Sequence, residues 1–513
     1  MISSSRRVFL RGLAGVSMLG ASRLVGSPQR NPGQKVRLAA VGVTGAGRGD
    51  LISMLATGLV ELVALCDVDV TARDNALATA KKTFPDLDLS KVPFYADYRK
   101  LLDDAEKLGI DAMTIATPDH AHGPIAIQAM KKGIHVFVEF PLVRTLWELD
   151  YFEKTARENG VVVQMGNQGS ASDGMRRNVD ILQSGILGDV TDVHVWTNNP
   201  VWPQGKPVAD WVKGHPDGDP VRDGLNWDAW LSTASSRPFL DKYPKDAGVH
   251  DPWNLGKNVY HSFSWRGFFD FGCGALGNMA SHVVNLPFRG LELGEVEGAI
   301  CEKADSVNDL AYPLKSAVKI AYKARKSKVR PDATLPPVTL HWYDGDEKPS
   351  KEILDSLASK NKGQIPRGNG CFIVGSKGLA LVRDPFGSAC SIALDGDTQF
   401  IGVNQHEAAK AVPRSIPSCD DKASNRGKSA TTRSHHREFI DAILGKGPRY
   451  SQTDSRCFSD IRHCIPLTKS ILIGCIAQRM PHKKICWNSK RRAFDVAKAN
   501  TYVKPYIRRG FEF

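Results

Sequence analysis

No uninterrupted apolar stretch in the chain is long enough for a bilayer-spanning helix, which takes about 20 such residues. Its ten cysteines include no C-x-x-C pair and no Cys/His spacing of the zinc kind. A zinc module is thereby excluded, and a disulfide scaffold is disfavoured. Glycine (46) and proline (29) are too few among 513 residues for a fibrous or low-complexity chain. No internal repeat is present, and one charge sign barely exceeds the other: 68 Lys and Arg against 55 Asp and Glu, a net charge of +13. Much of that excess gathers late, at Lys483, Lys484, Lys490, Arg491, Arg492, Arg508 and Arg509. Such a cluster reads as a solvated basic surface, with no nucleic acid as partner. What remains is an ordinary globular composition, 42% apolar and 24% charged, long enough for two or three domains with cores of their own.

The first residues read as an address. Ser5-Arg6-Arg7-Val8-Phe9-Leu10-Arg11 precedes a short, mildly apolar stretch from Gly12 to Gly20. A charged start, a twin arginine and a brief apolar region resemble a Tat export signal, so residues 1–34 are expected to be signal and linker. Arg23 interrupts the tail and no clear cleavage site follows. The expected location is periplasmic or cell-envelope, with the Tat machinery as a partner. Tat export carries folded proteins, so the cysteines are expected as buried thiols. Whether Cys457 pairs with Cys464, or Cys475 with Cys486, the sequence leaves open.

From Lys35 the pattern becomes that of a dinucleotide-binding unit, assigned to residues 35–160. Val36 to Val41 is a short apolar run suited to a strand buried on both faces. It ends in Gly42-Val43-Thr44-Gly45-Ala46-Gly47-Arg48-Gly49, before a helix expected from about Asp50 to Thr57. A second strand, Val60 to Leu65, is followed by Cys66-Asp67. Strand, glycine turn, helix and strand closed by an acid follow the order of a Rossmann fingerprint, although the strict G-x-G-x-x-G spacing is absent. Glycines let the backbone approach a pyrophosphate resting on the helix start. Gly42, Thr44, Gly45, Ala46, Gly47 and Arg48 are therefore candidate cofactor residues. Asp67 is placed to accept the ribose hydroxyls and to repel a 2′-phosphate, favouring NAD over NADP; Arg48 is the one neighbour that argues the other way. Two further strands end in Thr117-Pro118-Asp119-His120-Ala121-His122 and in Glu139-Phe140-Pro141. Residues just beyond strand C-termini line the ligand crevice, which adds Thr117, Pro118, His122, Glu139 and Phe140. His120 is expected to be satisfied by backbone.

These pieces, with Gln164 to Gly169, Asn226-Trp227-Asp228, Trp265-Arg266-Gly267 and the stretch Phe271 to Asn285, resemble the Gfo/Idh/MocA family of nicotinamide-dependent oxidoreductases. The resemblance implies an α/β protein: a Rossmann domain, then an α+β domain with an open, mostly antiparallel sheet carrying the sugar site and often the oligomer interface. That second domain is expected over residues 161–465, with 466–513 as a helix and tail packing back on the body. The resemblance also implies Asn167 at the cofactor, Tyr243, Trp265 and Arg266 at the substrate, and a frequently cis Phe140-Pro141 bond. Two departures stand out. Phe140 occupies the place of the family's lysine, and Asn278 that of its catalytic aspartate, while His282 remains as the acid/base. Asn285 likewise replaces a frequent aspartate. A phenyl ring neither stabilises an alkoxide nor relays its proton, and an asparagine orients an imidazole without balancing its charge.

Three functions follow: an NAD-dependent oxidoreductase of a sugar or polyol, an NAD-recycling glycosidase, or an NAD- or sugar-binding protein with impaired catalysis. Further along, Trp202, Trp211, Trp227, Trp230 and Trp253 offer apolar faces for sugar rings, although any one of them is more simply a core residue. Ser306 to Gly368 reads as strand-rich, Asn404 to Thr432 as an exposed loop, and Ser434 as the cap of a helix. His435 and His436 point about 100° apart on that helix, so no metal is assigned.

Overall fold

The computed structural model describes residues 34–244, 246–251, 258–419, 428–450 and 455–513. The twin-arginine segment and Trp253 lie outside them. Six parallel strands form the first sheet: β1 (Val36–Val41), β2 (Val60–Cys66), β3 (Phe94–Tyr95), β4 (Ala112–Ile115), β5 (His135–Val138) and β6 (Val163–Met165). Their spatial order is β3-β2-β1-β4-β5-β6. The order reverses between β1 and β4, and that switch point opens a crevice beyond the strand C-termini. Central position explains composition: β4 and β5 are buried at every residue, and β1 at all but Arg37.

Four helices cover this sheet: α1 (Gly45–Ala56), α2 (Val70–Thr83), α3 (Asp119–Lys131) and α4 (Leu146–Asn159). α1 begins five residues before the expected Asp50, because the glycine turn itself winds into the first helical turn. α4 opens with a capping box, in which Thr145 and Glu148 satisfy each other's backbone N–H groups. The first sheet closes with β6, three residues past the expected boundary at 160, where the register of β5 supplies one more parallel partner.

The second sheet has ten strands. In chain order they are β7 (Val190–Trp196), β8 (Val296–Ala304), β9 (Ser316–Tyr322), β10 (Val338–Asp344), β11 (Gly370–Gly375), β12 (Gly378–Val382), β13 (Cys390–Leu394), β14 (Ile401–Gly402), β15 (Ile485–Asn488) and β16 (Ala493–Phe494). Their spatial order is β14-β13-β12-β11-β7-β10-β9-β8-β15-β16. Only β7 and β10 run parallel among the described strands; every other pairing is antiparallel. This is the α/β Rossmann domain followed by an open, mostly antiparallel sheet.

Further helices tie the two sheets together: α5 (Asp173–Gln183), α6 (Gly274–Val283), α7 (Lys351–Lys360), α8 (Lys428–Ile443) and α9 (Ile461–Gln478). α7 lies within the segment expected to be strand-rich, where fully buried Leu357 packs with Trp196, Phe372 and Leu381 on the sheet. α8 also corrects the sequence reading. It begins at Lys428, so Ser434 lies buried inside the helix and not at its start. Its inner face packs on the Rossmann side: the Phe137 ring stacks on His436 at 4.6 Å, and Phe439 and Ile440 join the core around β1. Arg176 on α5 and Glu438 on α8 form a buried ion pair at 2.8 Å, extended by Tyr450. All ten cysteines are free thiols. The tail folds back on the body, with Phe511 buried beside Tyr98 and Phe513 stacked on Tyr151.

Candidate active site

A crevice of about 250 Å³ lies over the carboxyl edge of the first sheet. Its floor comes from the Rossmann domain: Gly42, Thr44, Gly45, Ala46, Asp67, Thr117, Pro118, His122, Glu139 and Phe140 all line it. The two closest glycines play different parts. Gly45 holds φ at +49° with open space where a Cβ would project, so its backbone is bare toward the crevice. Gly47 faces inward, where a Cβ would collide with the Gly42 carbonyl oxygen; it holds α1 against the strands and lines no part of the crevice. Arg48 is exposed on α1 and also lies off the lining. Thr44 makes no side-chain cap and the first turn carries no acid, so the α1 N-terminus keeps donors free for an anion.

Asp67 closes β2 at the adenosine end. One carboxylate oxygen accepts the Val43 N–H at 2.9 Å, and the other accepts the Asp69 N–H at 3.1 Å. Burial pushes its pKa upward, against the pull of those amides. Nearby Asp69 is paired with Arg222 at 2.5 Å and with His261 at 3.3 Å. Burial works against ionisation of Asp69, yet the hydrogen bonds from His261, Thr71 and Arg222 prevail and hold it well below the usual carboxylate range. Through that cluster the loop carrying His261, Ser262 and Phe263 is anchored over the crevice, which all three residues line.

Thr117 and Pro118 stand where expected, and the Thr117 hydroxyl is buried on the crevice wall without a protein partner. His122 lines the crevice but acts as a strut, its two ring nitrogens 2.8 Å from the Thr117 carbonyl and 2.9 Å from the Pro141 carbonyl, to one of which the neutral ring donates. Burial takes its pKa down to about 4, so the ring is neutral at pH 7. His120 is buried against the Trp230 and Phe271 carbonyls, as a structural residue. Glu139 accepts from Gln168 at 2.7 Å and shares a buried carboxyl contact with Asp50, itself bonded to His436 at 2.8 Å. Burial, then Asp50, raises the Glu139 pKa well above the ordinary range. Phe140-Pro141 is cis. Asn167 is fully buried beside Ser281 and lies off the lining, at the junction between domains.

The roof comes from the second domain. Trp230, Phe263, Trp265, Arg266 and Asn278 line it. Two expectations fail here. Tyr243, 3% exposed, is buried against Trp211 in the aromatic core that also holds Trp230 and Trp265, and does not itself reach the crevice. Asn278 does not orient His282, because its amide oxygen accepts from Arg266 Nε at 3.1 Å; a guanidinium is the stronger donor. His282 lies behind the lining, its ring 4.1 Å from Phe140 and 5.4 Å from Phe386, with Nδ1 buried and unpartnered. Burial lowers its pKa to about 4. Asn285 serves a buried network, donating to Ser170 at 2.9 Å and accepting from His463 at 2.8 Å. Sequence reasoning missed the parts played by Asp119, His261 and Phe263. Asp119 directly follows Pro118 on the floor, whereas His261 and Phe263 reach the crevice through contacts far apart in the chain, the indole-rich composition of the region being the signal for that roof.

The bare first turn of α1, the acid closing β2 and the unpartnered Thr117 hydroxyl together fit a dinucleotide. Comparison with known proteins agrees. Residues 36–167 match the model of an oxidoreductase family with an NAD-binding Rossmann fold. A 2,7-anhydro-N-acetylneuraminate hydratase of Mediterraneibacter gnavus is 28% identical over 104 residues, 20% of this chain and 27% of that protein. A glycosyl hydrolase family 109 protein of Stenotrophomonas maltophilia is 35% identical over 142 residues, 27% of this chain and 30% of that protein. The chain thus spans about a third or less of the length of these two curated relatives. An inositol dehydrogenase homolog from Azotobacter vinelandii, solved with NADH and myo-inositol, shares the fold. Its TM-score is 0.55 at 16% identity, covering 88% of this chain and 98% of that one. In its N-terminal domain, residues 36–167, the chain is thus similar to the NAD-binding Rossmann domain of the Gfo/Idh/MocA oxidoreductases.

Proposed function

We propose that the protein binds NAD across the first sheet and oxidises or reduces a carbohydrate or polyol held under the second-domain roof. The observation carrying this reading is the pairing of an open α1 N-terminus and Asp67 with an aromatic roof across one crevice. When bound, the nicotinamide supplies the hydride acceptor. The chain's own residues do the rest. Asp67 takes the ribose hydroxyls, the first turn of α1 the phosphates, and Thr117 and Pro118 the wall beside the ring. His282, neutral at pH 7, is the remaining candidate proton acceptor, set behind the lining that Phe140 forms, so the substrate hydroxyl reaches it only past that ring. No carboxylate supports its imidazolium, and Phe140 supplies no charge to a developing alkoxide. Losing one acid–base group of this kind costs roughly 10² to 10⁴ in rate, so turnover is expected to be slow.

Absorbance and mass spectrometry of the purified protein for nicotinamide, followed by a polyol and glycoside panel, test the reading. Cofactor with turnover that vanishes in His282→Ala supports it; cofactor without turnover supports a binding protein. The family 109 relatives favour a second reading, a glycosidase that recycles NAD, which releases sugar without net reduced cofactor. Export by the Tat route, on Arg6-Arg7, is part of the proposal, and a twin Lys replacement that strands the protein in the cytoplasm checks it. A homo-oligomer through the open sheet is checked by light scattering.

A further inference from the structure

Arg266 makes no close ion pair among the described residues; Asp119 and Glu139 act on its charge only from beyond ion-pair distance. It rises from a short turn, Ser264–Gly267, with its guanidinium 4.2 Å from both the Phe263 and Trp265 ring centroids. Nε donates to Asn278 Oδ1 at 3.1 Å and Nη1 to the Phe263 carbonyl at 3.0 Å, two uncharged acceptors. Among the described residues Nη2 has no hydrogen-bond partner, and no carboxylate stands within ion-pair distance of the group. Among the described residues Arg266 is also the only Lys or Arg on the crevice lining.

The charged or titratable groups facing it are committed elsewhere. Asp119 bonds Cys273 and feels the Arg266 charge only at a distance; burial outweighs both and raises its pKa to about 7. Glu139 is held by Gln168 and Asp50. His261 faces Asp69, and His122 sits between two carbonyls. Burial lowers the Arg266 pKa only to about 10, so the cation persists at neutral pH. A desolvated cation with neutral acceptors and a spare N–H edge is completed by a planar anion. The cofactor phosphates have their own place at the α1 N-terminus on the floor. Arg266 stands instead on the roof, bonded to the helix that carries His282 one turn further on.

Building on the dinucleotide reading, we propose that the carbohydrate under the roof bears a carboxylate, as a uronic acid does, and that Arg266 pairs with it. Phe263 and Trp265 flank the guanidinium as faces for the C–H surface of the ring.

The test is calorimetry of full-length protein, with and without NAD, titrated with matched pairs: methyl glucuronide against methyl glucoside, and methyl galacturonide against methyl galactoside. The acids are expected to bind about ten-fold tighter or more, with an advantage that shrinks as salt rises. Arg266→Gln is expected to abolish that advantage while leaving NAD affinity unchanged. Asn278→Asp, nearly isosteric, is expected to abolish it too, by giving the guanidinium an internal carboxylate. Because the wild-type ratio stands alone, the test survives a variant that fails to fold. Equal affinity for acid and neutral partners, no binding of any acid, or an acid preference that survives both variants overturns the proposal. So does an Arg266→Gln protein that binds NAD weakly yet keeps the preference, which would assign Arg266 to the cofactor phosphates. Failure to bind NAD sinks the dinucleotide reading by itself, because the acid-to-neutral ratio is also measured without cofactor.

Discussion

His282 is packed between Phe140 and Phe386, and that packing sets its chemistry. An ordinary histidine of pKa about 6.5 would lose its base form below pH 6. Here burial lowers the value to about 4, so the neutral ring persists at every pH above that. The base-dependent limb of kcat/KM is therefore expected to fall only as pH drops through about 4, while His282→Ala removes roughly 10² to 10⁴ of rate. A pH–rate profile with its acid limb near 6.5 would assign the base to another group. Asp67 yields a second expectation at this scale. Replacing it with Ala removes a charged acceptor, which is expected to weaken NAD by about ten-fold or more and to narrow the preference over NADP. Fluorescence titration with both dinucleotides measures this. Asp67 and the glycine turn were legible in the sequence because their spacing is local. The partner of Asn278 was not, because the residue that engages it folds in from another turn.

α5 and α8 meet at the buried pair of Arg176 and Glu438, whose side chains are 0% and 5% exposed. Removing one member leaves the other charged and without compensation, which costs about 3–5 kcal/mol. Arg176→Met is thus expected to lower stability by that amount in urea unfolding, with Glu438→Gln milder because the amide keeps a hydrogen bond to the guanidinium. The central strands of the first sheet were readable as short apolar runs closed by turn residues, and β1 falls on the residues expected. α8 was misread because its polar side chains, Ser434, His435 and His436, are all buried against the Rossmann sheet. Polar residues buried mid-helix read as a helix start, although Phe439 and Ile440 further along the helix join the core.

The C-terminal tail braces the whole assembly. Arg508 bonds the Thr233 carbonyl through its backbone N–H at 3.0 Å and the Ser232 carbonyl through Nε at 3.1 Å, and it pairs with Asp228. Phe511 is buried beside Tyr98, a crevice residue. The tail thus fixes the segment that presents Trp230 to the crevice. A chain ending before Arg508 is expected to fold, to lose the roughly 1.5–3 kcal/mol of the buried phenyl ring, and to bind NAD several-fold more weakly. Thermal melting and NAD titration measure the two effects.

The sequence alone determined the Rossmann unit, its nucleotide-facing turn and acid, and the substitution of Phe140 for a lysine, because these rest on neighbours a few residues apart. The tertiary structure alone decided that Tyr243 is core, that Asn278 serves Arg266, that a remote loop roofs the crevice, and that the last residues brace the segment carrying Trp230. Those outcomes depend on which surfaces meet when segments tens to hundreds of residues apart pack together, and no local pattern encodes that meeting.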